Sequence, residues 1–178
     1  ERSEAERAVD TTLAWARRSL SARRREDQML FGIVQGGTHR DLRERSASET
    51  AALGFPGYGI GGLSVGEPRE IVLECLEAQL SILPGDRPRH LLGIGDPEGM
   101  LEAVALGVDL FDCVLPTRLA RNGVAMTREG KMNLRNARYR RDARPLEEGC
   151  GCPACARFTR AYLRHLHNLN EILAHRLL

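Results

Sequence analysis

The sequence predicts an α/β fold in which short strands alternate with helices over the first two thirds of the chain. Four short apolar runs, at residues 29–34, 57–60, 89–94 and 108–111, are separated by longer segments with apolar residues at helical spacing. Each run is too short for a helix and is followed by glycine or a polar residue. Strands that alternate with helices form parallel sheets with right-handed crossovers, so we expect one parallel sheet.

This pattern fits an open doubly wound sheet or part of a (β/α)₈ barrel. A complete barrel takes about 250 residues and eight units, whereas the chain has 178 residues and four recognisable units. Under the barrel interpretation, it therefore holds the second half. In both architectures the chemistry lies at the carboxyl ends of the strands. The residues at those ends are Gln35, Gly61, Gly62, Gly93 and Asp112.

The helices are predicted from apolar periodicity together with capping residues. Thr38 can cap the second helix, and Asp96 followed by Pro97 is typical of an N-cap and first helical turn. Helices are predicted over residues 4–22, 38–53, 68–83 and 97–106.

The pattern changes after residue 116. A hairpin with Glu129-Gly130 as its turn is followed by a cysteine cluster and by one long helix from Phe158 to the end. We therefore expect a half-barrel over residues 1–116 and an appended metal-stabilised subdomain over 117–178.

Composition places the chain among globular proteins without a strong charge bias. It is 42% hydrophobic and 28% charged, with a formal net charge of +2, so charge alone gives no signal for nucleic acid. No apolar stretch approaches the roughly 20 residues that span a bilayer, and no signal-peptide pattern is present. We expect a cytoplasmic protein with no membrane segment, in which cysteines bind metal rather than form disulfides.

The segment C-G-C-P-A-C brings Cys150, Cys152 and Cys155 together on a tight turn. Closely spaced thiolates suit a tetrahedral ion, usually zinc, and the lack of an evident general base favours a structural role over a catalytic one. One ligand position stays open, and histidines that could fill it follow at 165, 167 and 175.

The stretch D-L-F-D-C-V-L-P-T-R, residues 109–118, ends the fourth predicted strand. Strand alternation places Leu110 and Asp112 on one face, and Phe111 and Cys113 on the other. In a barrel, an aspartate facing the axis at this end lies in a catalytic position, whereas the cysteine packs against helices. The pattern alone leaves four roles open for Asp112: base, metal ligand, covalent nucleophile or helix cap.

Three further features could bind a ligand. The amide of Gln35 offers a donor and an acceptor that suit the edge of a purine-like base, although it could equally cap a loop. The glycine-rich segment 59–67 lacks a phosphate-loop pattern but allows close backbone approach to a flat ligand. Arg118 and Arg121 could hold phosphates or belong to a solvated loop.

Five motifs stand in the sequence in this order: F-G-I-V-Q-G-G, G-Y-G-I-G-G-L-S-V-G-E-P, L-L-G-I-G-D-P, G-V-D-L-F-D-C-V-L-P-T-R-x-x-R-N-G and C-x-C-x-x-C. In their order and spacing they resemble the tRNA-guanine transglycosylase family over essentially the whole chain. The family implies a (β/α)₈ barrel with an inserted zinc subdomain, and an enzyme that replaces guanine at the wobble position of certain tRNAs with a 7-deazaguanine.

The resemblance also implies a role for each matching residue. Asp112 is the nucleophile that forms a covalent intermediate with ribose, while Arg118 and Arg121 grip the backbone of the tRNA anticodon loop. An apolar Val65 is similar to the bacterial enzymes, which use 7-aminomethyl-7-deazaguanine. The residues implied to bind the base are Gln35, Gly61, Gly62, Leu63, Val65 and Leu92, and those implied to bind structural zinc are Cys150, Cys152 and Cys155.

Other parts of the family's machinery fall outside the residues of this chain. The resemblance places the base-recognition and acid/base aspartates before residue 1, and a histidine zinc ligand after residue 178. We therefore expect the chain by itself to be inactive and to self-associate, and the full-length protein to be a homodimer. Two alternatives are a non-catalytic tRNA-binding partner subunit of the same family and an open-sheet nucleotide-binding protein with an incidental zinc site.

Overall fold

The computed structural model describes residues 1–63 and 66–178 of the chain. These residues divide into two compact units, Glu1–Cys113 and Val114–Leu178. Each unit has a hydrophobic core of its own. The boundary lies close to residue 116, where the sequence pattern changes.

The first unit is a parallel sheet whose strands are connected by helices. Its strands pair in the order β1-β2-β3-β4, every neighbouring pair is parallel, and this confirms the predicted mixed α/β arrangement. The elements are α1 Arg2–Ala22, β1 Gly32–Val34, α2 Arg40–Ala52, β2 Tyr58–Ile60, α3 Arg69–Leu80, β3 Arg89–Leu92, α4 Pro97–Ala105 and β4 Leu110–Asp112.

The two faces of this sheet differ in burial because side chains alternate along each strand. Val34, Ile60 and Leu91 are paired across the sheet, have no solvent exposure, and pack with the helices in the main core. The opposite face is more open, and Leu110 there is 45% exposed. The buried face therefore contributes most of the apolar packing that stabilises the unit.

The helices of this unit are amphipathic. In α1, the buried residues Val9, Leu13 and Ala16 recur at helical spacing, and most of the remaining residues are exposed. Among the helices that the structure describes, none combines the length and apolar character needed to cross a membrane.

Two predicted helix ends in this unit are wrong, and one is confirmed. The N-cap of α2 is His39, without a side-chain cap bond, because Thr38 lies in a turn closed by a hydrogen bond from His39 N–H to Gly36 O at 3.2 Å. Helix α3 ends at Leu80 rather than Leu83. The carboxylate of Asp96 does cap α4, accepting a hydrogen bond from Gly99 N–H at 2.8 Å.

The second unit combines a hairpin with short helices. Strands β5 and β6 pair antiparallel from Val124↔Asn133 to Thr127↔Gly130, which confirms the predicted hairpin. Its core includes Ala125, Leu134 and Leu163. The elements are α5 Leu115–Arg121, β5 Val124–Thr127, β6 Gly130–Asn133, a 3₁₀ turn at Ala137–Tyr139, α6 Pro153–Arg157, α7 Arg160–Asn168 and α8 Ile172–Leu177.

Two features of this unit differ from the prediction. Pro116 lies in the first turn of α5, where its missing N–H costs no helical hydrogen bond, and so it opens an unpredicted helix. The predicted single helix from Phe158 is two helices, because the chain turns at Asn170, whose φ of 55° is left-handed.

Candidate active site and metal site

Four of the predicted site residues of the first unit fall in one row across the carboxyl edge of the sheet. Val34 pairs with Ile60, Ile60 with Leu91, and Leu92 with Asp112. Continuing this register by one residue places Gln35, Gly61, Leu92 and Asp112 side by side on the open face. With strands about 4.8 Å apart, the row from Gly61 to Asp112 spans roughly 10 Å, comparable to the length of a purine nucleoside.

Gly61, within this row, has no side chain, so the sheet surface there is formed by its backbone. A methyl group placed there would be in ordinary contact with Leu92 Cδ1 at 3.6 Å, Ile33 Cγ2 at 3.7 Å and Gln35 Cγ at 4.0 Å. Two apolar side chains and one amide therefore surround a patch without a side chain. This arrangement suits a flat, partly polar ligand.

Gln35 directly follows β1, and a hydrogen bond from its backbone N–H fixes its position. Its N–H donates a hydrogen bond to Ser46 Oγ on α2 at 3.1 Å. Over residues 1–63 and 66–178, the side-chain amide has no hydrogen-bond partner, so its donor and acceptor are available to a ligand. The alternative role as a loop cap has no hydrogen bond to support it.

A buried arginine, which the sequence did not single out, fixes the two loops beside this row. Arg43 has no solvent exposure, and its guanidinium donates to Gly37 O at 2.7 Å, Gly61 O at 2.8 Å and Gly62 O at 2.7 Å. A fourth bond reaches Gln79 Oε1 at 3.2 Å. Burial lowers the pKa of Arg43 to about 10, which leaves it charged at neutral pH.

The helical pattern of the sequence already indicates that Arg43 is buried. It shares the inward face of α2 with Ser46, Ala47 and Thr50, all buried, at spacings of three, four and seven residues. An arginine on such a face must find several acceptors, because burying an unpaired cation is costly.

The loop after β2 contributes backbone rather than exposed side chains. Gly62 has a φ of 66°, a left-handed conformation that favours glycine. The side chain of Leu63 is buried in the core, which leaves only its backbone for ligand contact. Val65, the residue expected to influence the choice of base, lies outside the described residues.

Asp112 ends β4 with its carboxylate open to solvent. Its side chain is 61% exposed, and Oδ1 lies 2.9 Å from His90 Nε2. His90 lies on β3 opposite Leu110, one row below Asp112 on the same face. No sequence pattern singles out His90, although its position two residues before Leu92 places it on this face.

The neighbouring cysteine has a different environment from Asp112. Cys113 is half-buried, and its thiol lies 3.4 Å from Gly93 O, positioned to donate a hydrogen bond. A methyl group on Gly95 would fall 2.3 Å from Cys113 Cβ, so this side chain packs tightly against the loop after β3. Of the two adjacent residues, Asp112 is the one whose reactive group is exposed.

Arg118 and Arg121 lie in the second unit, in the last turn of α5. Both are exposed, and at a spacing of three residues they share one side of the helix. Within the described part of the chain, neither guanidinium has an ion-pair partner. Two unpaired cations on one side can bind a phosphate backbone.

The cysteine cluster forms a three-sulfur site, as predicted. The sulfurs of Cys150, Cys152 and Cys155 all lie within 4.8 Å of one another, which is close enough to share one ion. Cys152 caps α6, and the N–H of Cys155 at 3.5 Å lowers the pKa of its thiol, whereas burial raises the pKa of Cys155 to about 11. Three thiols on one turn are the donor set that zinc prefers.

No histidine of the described chain joins these sulfurs. His167 and His175 instead contact each other edge to face, with ring centroids 5.5 Å apart. The predicted histidine ligand is therefore none of those that the structure describes.

Comparison with known proteins identifies the family of this chain. The family model described as queuine tRNA-ribosyltransferase matches residues 1–178. The chain belongs to this family. It is 58% identical over 170 residues to the queuine tRNA-ribosyltransferase of Pelotomaculum thermopropionicum, and 51% identical over 172 residues to that of Bacillus subtilis.

These matches cover 96% of this chain but only 46% and 45% of the two relatives. The chain thus spans about half the length of the relatives that it matches. The described part of this chain offers two candidate sites. The row from Gln35 to Asp112 could bind and react with a ligand, and the three-sulfur cluster could hold a metal ion.

Proposed function

We propose that the protein containing this chain exchanges guanine at the wobble position of tRNA for a 7-deazaguanine, with Asp112 as the covalent nucleophile. The observation that carries this proposal is the row formed by Gln35, Gly61, Leu92 and Asp112 on the open face of the sheet. It offers an amide and bare backbone for a base at one end, and a carboxylate for its sugar at the other.

The base-binding part of the site uses few polar groups. The amide of Gln35 and the backbone of Gly62 and Leu63 would bind the edge of the base, Gly61 would leave room for it, and Leu92 would cover its face. The sequence at Val65 favours 7-aminomethyl-7-deazaguanine as the incoming base. An apolar residue leaves less room there than the glycine that the resemblance associates with queuine.

The exchange takes place in two displacement steps. A carboxylate oxygen of Asp112 forms a bond to ribose C1′ while the C1′–N9 bond breaks, and guanine departs with that electron pair and takes up one proton. N9 of the incoming base then attacks C1′, loses its proton, and releases the carboxylate. Two inversions retain the configuration, as in retaining glycosidases.

The carboxylate also favours the transition state electrostatically. Positive charge develops at C1′ as the glycosidic bond breaks, and a fixed anion beside that carbon stabilises it. Because one proton is taken up and another is released, the complete exchange is proton-neutral.

The second unit has two supporting roles. Arg118 and Arg121 would bind phosphates of the anticodon loop. Cys150, Cys152 and Cys155 would bind Zn²⁺, which when bound stabilises the turn before α6 rather than entering the reaction. A cytoplasmic homodimer acting on tRNA is part of this proposal.

The proposal is tested with the protein from the intact reading frame that encodes this chain. An anticodon stem-loop is incubated with labelled 7-aminomethyl-7-deazaguanine, and incorporation is compared among wild type, Asp112→Asn and the exposed control Asp86→Asn. We expect incorporation by wild type and Asp86→Asn, and none by Asp112→Asn. Stem-loop binding without exchange by the wild type would instead indicate a non-catalytic partner subunit.

A further inference from the structure

The contact between His90 and Asp112 joins neighbouring strands on the open face of the sheet. Because His90 pairs with Leu110 and Leu92 pairs with Asp112, His90 and Asp112 are diagonal neighbours. His90 Nε2 and Asp112 Oδ1 are 2.9 Å apart, and the side chain of His90 is 27% exposed against 61% for that of Asp112. The side chain of His90 is therefore the more enclosed of the two.

We propose that His90 is a positioning residue for the nucleophile, an inference that rests on the proposed function of Asp112. An exposed aspartate at a strand end samples several side-chain conformations, and few of them direct an oxygen at a bound ribose. In this proposal Nε2–H donates to Oδ1 across the 2.9 Å that separates them, which fixes the carboxylate and leaves Oδ2 free to attack C1′. A pre-aligned nucleophile lowers the cost of reaching the transition state.

The same hydrogen bond acts in both displacement steps. When the ester forms through Oδ2, Oδ1 becomes its carbonyl oxygen and still accepts the Nε2–H bond. As the incoming base displaces the carboxylate, negative charge returns to both oxygens, and the donor stabilises the leaving group. His90 itself gains and loses no proton in either step.

The stability of the protein depends little on this contact. A pair with one partner largely exposed contributes little to folding, because water competes for both groups. Removing the donor should therefore affect the turnover rate rather than the melting temperature or substrate binding.

The test compares His90→Leu, which removes the donor at similar size, with His90→Gln, whose amide keeps an N–H donor at similar reach. With the full-length protein, we expect His90→Leu to lower kcat about 10- to 100-fold, while KM for the stem-loop and for the base stays within about twofold. His90→Gln should recover most of kcat. Without incoming base, His90→Leu should form the RNA–protein adduct more slowly.

The possible failures can be told apart. Wild-type kcat in His90→Leu would overturn the role of His90 and leave the proposed function intact. Equal losses in both variants, with a lower melting temperature or changed KM values, would also overturn it, because the residue would then be structural. Absence of exchange and of adduct in the wild type would overturn the proposed function, and this inference with it.

Discussion

The guanidinium of Arg43, which has no solvent exposure, donates a hydrogen bond to the carbonyl oxygen of Gly61 at 2.8 Å. Its other bonds reach the next carbonyl, at Gly62, and that of Gly37 in the turn after β1. One buried cation thus holds both glycine turns that border the candidate base site. The positions of these turns therefore depend on a side chain that is itself fully buried.

Replacing Arg43 with methionine should destabilise the first unit. The substitution leaves carbonyl oxygens of three glycines and Gln79 Oε1 without this donor, for an expected loss of roughly 2–4 kcal/mol in the free energy of unfolding. Urea denaturation measures it, with Arg40→Met on the exposed face of the same helix as control. Equal stability of the two variants would show that the buried network contributes nothing.

Replacing Gly61 with alanine should weaken base binding and leave the fold intact. The added methyl group would meet its neighbours at 3.6 Å or more, in ordinary contact. It would, however, fill the patch on which the base is proposed to lie, so KM for the incoming base should rise about tenfold. Steady-state kinetics measures this, and Gly85→Ala in a distant loop is the control. An unchanged KM would place the base elsewhere.

Replacing Cys152 with serine should abolish zinc binding. The cluster provides three sulfurs within 4.8 Å, and the loss of one leaves too few to retain the ion. Elemental analysis of the purified protein should find about one zinc per wild-type chain and far less in the variant. Cys113→Ser, on the other unit, should keep both zinc and base exchange. Full zinc content in Cys152→Ser would argue against this cluster as the site.

Replacing Arg118 and Arg121 with alanine should weaken RNA binding without affecting the base. Each arginine that contacts a phosphate releases counterions, so the double variant should raise KM for the stem-loop and reduce the slope of its salt dependence by about two. Titrations at several salt concentrations measure that slope, with the exposed Arg24→Ala as control. A loss of affinity with an unchanged slope would mean that these side chains do not contact phosphates.

The sequence predicted those features that local patterns determine. The four strands follow from short apolar runs, the cap at Asp96 from its neighbour Pro97, and the cysteine cluster from its own spacing. Thr38 shows the limit of this approach, because a favoured capping residue lost its role to the turn between Gly36 and His39.

The features that the sequence did not predict depend on contacts between distant residues. Arg43 is identified only when carbonyls 18 and 19 residues away converge on it, and His90 only when strand pairing brings it to Asp112. The break between α7 and α8 depends on one left-handed asparagine, Asn170. Many asparagines can adopt a left-handed conformation, but few positions in a fold require one, so the sequence alone does not identify such a position.

The role of Asp112 as the nucleophile is tested most directly by locating the bond between enzyme and RNA. The full-length protein is incubated with an anticodon stem-loop without incoming base, digested with ribonuclease and trypsin, and analysed by mass spectrometry. We predict a ribose adduct on the peptide spanning residues 90–118, with fragmentation assigning it to Asp112. An adduct on Asp96, Asp109 or Cys113, or base exchange without any adduct on this peptide, would contradict the assignment of Asp112 as the nucleophile.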